Sequence, residues 1–190
     1  MQRTRESLPR LKARVAGGLY LLAVFSAVFA EAFLHGRLLR AVGLIPIVSF
    51  TIVTLLLYQL LKPANRSVAG LAAFFNLVSL TLEAFEFHLQ GANIALIFHG
   101  LYCLLIGFLA FRSDFVPQIF AVLMAIGGLA WLTDLSIPLT NHLAPYNVIV
   151  GFTGEGMFML WLLVIGPKGQ RWDVLADAEV ESVSLRPKRH

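Results

Sequence analysis

A chain of 190 residues suits one ordinary domain, but 58% of it is hydrophobic and only 14% is charged, which excludes a soluble globular protein. The net charge of +4 does not mark a nucleic-acid binder, because the basic residues lie at the ends and in short loops rather than on an aromatic-studded face. Period-two alternation is absent, which argues against an outer-membrane barrel, and the single cysteine, Cys103, rules out an internal disulfide.

About 20 apolar helical residues cross a hydrocarbon core of about 30 Å, and this sequence supplies six such runs. A polar, basic segment over residues 1–14 precedes span one, Val15 to Leu34. A secretory leader cleaved near Ala30 is the rival reading, and the length of the apolar run argues against it. Span two runs from Leu39 to Leu61 and contains Pro46, tolerated where neighbours satisfy the freed carbonyl. After the loop KPANRS comes span three, Val68 to Gln90, and the short turn Gly91-Ala92-Asn93 makes span four, which ends at Phe111, its antiparallel partner. The segment RSDFVP leads to span five, Pro117 to Leu135, and SIPLTNHLAP to span six, Tyr146 to Ile165. The expected architecture is an all-α, polytopic six-transmembrane-helix bundle over residues 15–165, with a charged tail, residues 166–190, left unstructured.

All of the 15 Lys and Arg except Arg37 and Arg40 fall in the N-terminal segment, the two-three and four-five loops and the tail. The positive-inside rule therefore predicts that both termini are cytoplasmic. No internal repeat is evident.

The stretches RVAGGLYLL at Arg14 to Leu22, LLKPANRSVAGLAA at Leu60 to Ala73, GFLAFRSDFVP at Gly107 to Pro117 and GEGMFMLWLLVIG at Gly154 to Gly166 have an order and spacing that resemble a bacterial six-span integral membrane family catalogued as a domain of unknown function. The resemblance implies a fold and a bacterial cytoplasmic-membrane location, and no activity. Two departures stand out: the one-two loop HGRLLR is short, and span four carries His99 where the resemblance leads one to expect a histidine at the place of Tyr102.

The chemistry lies in the polar residues of the spans. Asn76, Ser79, Glu83, Glu86 and Gln90 recur at helical spacing and define one seam of span three, which must face the bundle interior or a cavity. Glu31 and His35 form an i,i+4 pair at the end of span one, and His99 and Cys103 another in span four. Five carboxylates, Glu31, Glu83, Glu86, Asp134 and Glu155, lie in or beside spans that hold no Lys or Arg. A buried carboxylate without a partner takes up a proton or binds a cation. Glu83, Glu155, His99, Glu31, His35 and Glu86 are thus the candidate cation-binding residues, and Glu83, His99 and Glu155 the candidate ligands of a divalent metal.

Blander readings stand beside these. Glu86 and Asp134 reach interfacial water by snorkelling, His88, His142 and His190 are solvated, and His99 is an interhelical hydrogen-bond partner. Cys103 is a small packing residue, part of a strip with Gly100 and Gly107 that suits close helix approach. Haem is not expected, because nothing gives His88 and His99 a common face. No HExxH, CxxC, GxSxG or phosphate-binding glycine loop occurs. Three functions follow as expectations: a site for a cation, metal or small cationic ligand, with transport as its use; an accessory subunit packed against other membrane subunits or copies of itself; and a metal-dependent membrane-embedded hydrolase of a lipid-like substrate. The lipid bilayer is the one partner common to all three.

Overall fold

The computed structural model describes residues 2–33, 35–85, 88–89, 92–113 and 115–167. Its elements are α1 (Gln2–Phe33), α2 (Gly36–Leu61), α3 (Arg66–Ala84), a two-residue ladder of β1 (His88–Leu89) and β2 (Ala92–Asn93), α4 (Ile94–Arg112), α5 (Gln118–Trp131), α6 (Ile137–Leu143) and α7 (Tyr146–Val164). A 3-10 turn, Leu132–Leu135, continues α5. Six segments are long and apolar enough to cross a membrane: Pro9–Ala30, Val42–Leu61, Arg66–Ala84, Ile94–Arg112, Gln118–Leu135 and Tyr146–Val164. The expected six-span helical bundle is therefore the observed architecture.

Local chemistry sets the boundaries. Asn65 caps α3 by accepting from the Val68 amide at 3.1 Å, and Asn93 caps α4 by accepting from Ala95 at 3.0 Å; each satisfies an amide that the first helical turn leaves free. Gly166, at φ 65°, ends α7, and its amide reaches back to the Trp161 carbonyl at 2.9 Å in the left-handed closure that glycine adopts without strain. Two boundaries differ from expectation. The first helix starts at Gln2 and runs through the polar segment, so its 32 residues exceed the span the bilayer requires. Span three was expected to reach Gln90, but α3 stops at Ala84, because the β1–β2 pairing and the Asn93 cap reverse the chain there. Glu86, Gln90 and the tail from residue 168 lie outside the described residues.

The six spanning helices form a closed ring. Helix α1 packs on α2, α2 on α3, α3 on α4, α4 on α5 and α5 on α7, and α7 returns to α1. Small residues allow the tightest of these contacts. A Cβ at Gly100 would stand 2.8 Å from the Gly128 carbonyl, and one at Gly107 2.9 Å from that of Ala121, so the expected strip on α4 is the surface on which α5 lies. The core runs along the ring's axis through Leu57, Leu60, Ile106, Met124, Phe158 and Leu162, while Phe25, Phe29, Phe74 and Ile119 are exposed on the outside, where a bilayer covers them.

Candidate functional site

Every spanning helix places a polar or aromatic group at the centre of the ring: Tyr20 from α1, Thr54 from α2, Asn76 from α3, His99, Tyr102 and Cys103 from α4, Trp131 from α5 and Glu155 from α7. Apart from His99, all of them are buried. The His99 side chain keeps 14% of its surface exposed against 3% for Glu155, so the imidazole is the least enclosed member of the cluster.

The hydrogen bonds run as a chain, and its direction follows from donor chemistry. Thr54 donates its hydroxyl proton to the Phe50 carbonyl one turn back, at 2.7 Å, which leaves its oxygen to accept. Asn76 Nδ2 donates to that oxygen at 2.5 Å. The amide is thereby oriented with Oδ1 toward His99 Nδ1, at 3.0 Å. A carbonyl oxygen only accepts, so Nδ1 carries hydrogen. On the other side of the ring His99 Nε2 lies 3.0 Å from Glu155 Oε1, and the same oxygen accepts from the Trp131 indole N–H. One proton consequently sits between Nε2 and Oε1, and the pair is uncharged as a unit whichever atom holds it. That neutrality removes the charging cost that an ionised carboxylate alone would carry in a membrane interior.

Packing holds this arrangement in place. The imidazole meets the rings of Phe50 and Trp131 edge-on at centroid separations of 6.3 and 6.2 Å and lies tilted against Tyr102 at 5.7 Å. The Trp131 indole is seated over Gly151, where a Cβ would approach ring atom Cε2 to 2.5 Å. Ser79 donates to the Ala95 carbonyl at 2.7 Å and fixes α3 against the start of α4.

Cys103, one turn beyond His99, adds a thiol. The donor atoms of His99, Cys103 and Glu155 all lie within 4.8 Å of one another. Two further groups face the cluster without being bound into it. The Tyr20 hydroxyl lies beside Glu155 and the Tyr102 hydroxyl beside Thr54, yet neither forms a well-aligned hydrogen bond.

Of the residues singled out from sequence, His99 and Glu155 meet at the centre, with Asn76 of the polar seam behind them. Glu83, in the last turn of α3, is exposed. His35 is exposed in the α1–α2 connection, the side chain of Glu31 lies outside the described set, and Glu86 lies outside the described residues. The apparent imbalance of five carboxylates thus reduces, among the described residues, to one buried carboxylate that has His99 as its partner. Sequence reasoning did not single out Tyr20, Thr54 or Trp131. A signal existed for Trp131, since a tryptophan deep in an apolar span must find an acceptor for its N–H.

Residues 78–166 match the family model described as a domain of unknown function, DUF4386. An uncharacterized protein of Archaeoglobus fulgidus is 29% identical over 127 residues, which cover 61% of this chain and 76% of that one. No solved structure matches the chain. These similarities agree with the resemblance to a membrane family without assigned activity, and this relative is archaeal. The matching stretch begins two residues after Asn76 and contains His99, Cys103, Trp131 and Glu155.

Proposed function

We propose that this chain is a cation-binding membrane protein, with both termini on the cytoplasmic side, whose site is the His99–Glu155 pair at the centre of the ring. The observation that carries the proposal is the 3.0 Å approach of His99 Nε2 to Glu155 Oε1, two lone-pair atoms that a proton must bridge. A metal ion takes the same place between the same two lone pairs. Imidazole and carboxylate are its usual ligands, and the groups behind them are those that metal sites employ: an acceptor holding the remote imidazole N–H, here Asn76, and a donor on the carboxylate, here Trp131. An enclosed position whose least buried ligand is His99 suits a site that takes up and releases an ion in the course of transport.

The test is elemental analysis of the purified full chain after a mild chelator wash, wild type beside His99→Gln and Glu155→Gln. Stoichiometric metal in the wild type that is lost in both variants supports the reading; equal content in all three removes it. A second reading, an accessory subunit, is favoured by the completeness of the chain from Thr54 to Trp131, in which each named donor already has an acceptor. It predicts a metal-free wild type that co-purifies with a larger membrane complex.

A further inference from the structure

Resting on that cation-binding reading, we propose that the ion is a divalent transition metal of the thiophilic class, held by His99 Nε2, the Cys103 thiolate and one oxygen of Glu155. His99 and Cys103 are four residues apart on α4 and so project to the same side, and α7 brings Glu155 to face both. The three donor atoms already lie within 4.8 Å of one another. A tetrahedral ion with bonds of about 2.0–2.3 Å separates its ligands by roughly 3.3–3.8 Å, so seating one asks for sub-ångström to ångström side-chain adjustments rather than movement of the helices. The donor set selects the metal. A thiolate with imidazole and carboxylate favours zinc-like ions over calcium or magnesium, which take oxygen ligands. Two anionic donors and one neutral donor also match a dication, so the occupied centre carries no net charge, as the empty one does.

A second observation points to a polar ligand at this centre. Tyr20 and Tyr102 are 2% and 3% exposed, and their hydroxyls, beside Glu155 and Thr54 respectively, form no well-aligned hydrogen bond there. Buried hydroxyls are ordinarily satisfied. With three protein ligands the ion keeps a fourth position open, and a water or small anion bound there gives the phenols their acceptor.

Cobalt(II) is the probe. The full chain in detergent, stripped of metal, is titrated with Co²⁺ and followed from the near ultraviolet to the visible. The expected result is about one Co²⁺ per chain with tetrahedral visible bands and a thiolate-to-cobalt charge-transfer band, all erased by added Zn²⁺. In Cys103→Ser, checked for an unchanged helical circular dichroism spectrum, the charge-transfer band is lost. The wild-type spectrum decides even where that variant fails to fold. Co²⁺ bound without a charge-transfer band overturns the thiolate assignment and leaves the cation reading standing, whereas no binding of Co²⁺ or Zn²⁺ by the wild type overturns both.

Discussion

His99 and Glu155 stand 56 positions apart in the chain and meet at 3.0 Å, and the oxygen that receives the imidazole also receives the Trp131 N–H. A carboxyl group serves both neighbours at one atom, because that oxygen accepts from the indole and either accepts from or donates to the imidazole. An amide does not. Its oxygen only accepts, and a neutral imidazole whose hydrogen is on Nδ1 offers that oxygen only a lone pair at Nε2, so the amide cannot serve both neighbours at one atom and one of them loses its bond.

Glu155→Gln is therefore expected to lose one buried hydrogen bond and to be less stable by about 1–3 kcal/mol. Thermal or denaturant unfolding in detergent reads this directly. A variant as stable as the wild type would show that the shared oxygen carries no weight.

Asn76 fixes the imidazole by accepting from Nδ1 at 3.0 Å without touching the proposed ion. Asn76→Ala is expected to weaken metal binding by about 10–100-fold while all three ligands remain, as the loss of an outer partner does at other metal centres. Titration of the stripped protein measures it. A purely structural role would lower stability and leave the affinity of the folded chain unchanged.

Gly151→Ala adds a methyl group 2.5 Å from Trp131 Cε2. The indole must move off Glu155, and overpacking of this kind costs about 1–3 kcal/mol. The same displacement predicts weaker metal binding. Unchanged metal affinity in this variant would mean that the indole bond to Glu155 is dispensable.

Glu83 is exposed in the last turn of α3. Glu83→Gln is expected to change stability by no more than about 0.5 kcal/mol and to keep full metal content. Loss of metal in that variant would extend the site to the α3 terminus.

Orientation is open to chemical labelling, since Cys103 is the single cysteine and is fully buried. Ser67 and Asn141 are exposed at opposite ends of the ring. With both termini cytoplasmic, an impermeant maleimide applied to intact cells labels Asn141→Cys and reaches Ser67→Cys only after lysis. The reverse pattern would invert the topology.

The sequence carried the six spans because about 20 apolar residues between charged loops have one plausible fate in water and lipid. It also carried the polar seam at Asn76 and Ser79, since helical phase is written in residue spacing. What spacing does not contain is how each helix is rotated against its neighbours. That rotation, set by contacts such as Gly100 on Gly128 and Gly151 beneath Trp131, turns Glu155 inward, whereas Glu83, on the same seam as buried Asn76 and Ser79, is exposed because it lies in the last turn of α3. Thr54 and Tyr20 were obscured for a related reason. In an isolated span a threonine satisfies itself on its own backbone and a tyrosine resembles an interfacial anchor, so neither announces a partner on another helix.

The junction of α1 with α7 joins the first spanning segment to the last, and this has a consequence for biosynthesis. A chain ending at Pro145 contains five of the six spanning helices and lacks the α7 residues Met159 and Leu163 that pack on Gly17. Asn76, the partner of the imidazole Nδ1, belongs to that part of the chain, but Glu155, the carboxyl group that meets the far nitrogen and the Trp131 N–H, does not. Arrival of the final helix closes the ring and brings in this carboxyl group in one event. Truncation before Tyr146 therefore leaves His99 and Trp131 without the Glu155 carboxyl group they share.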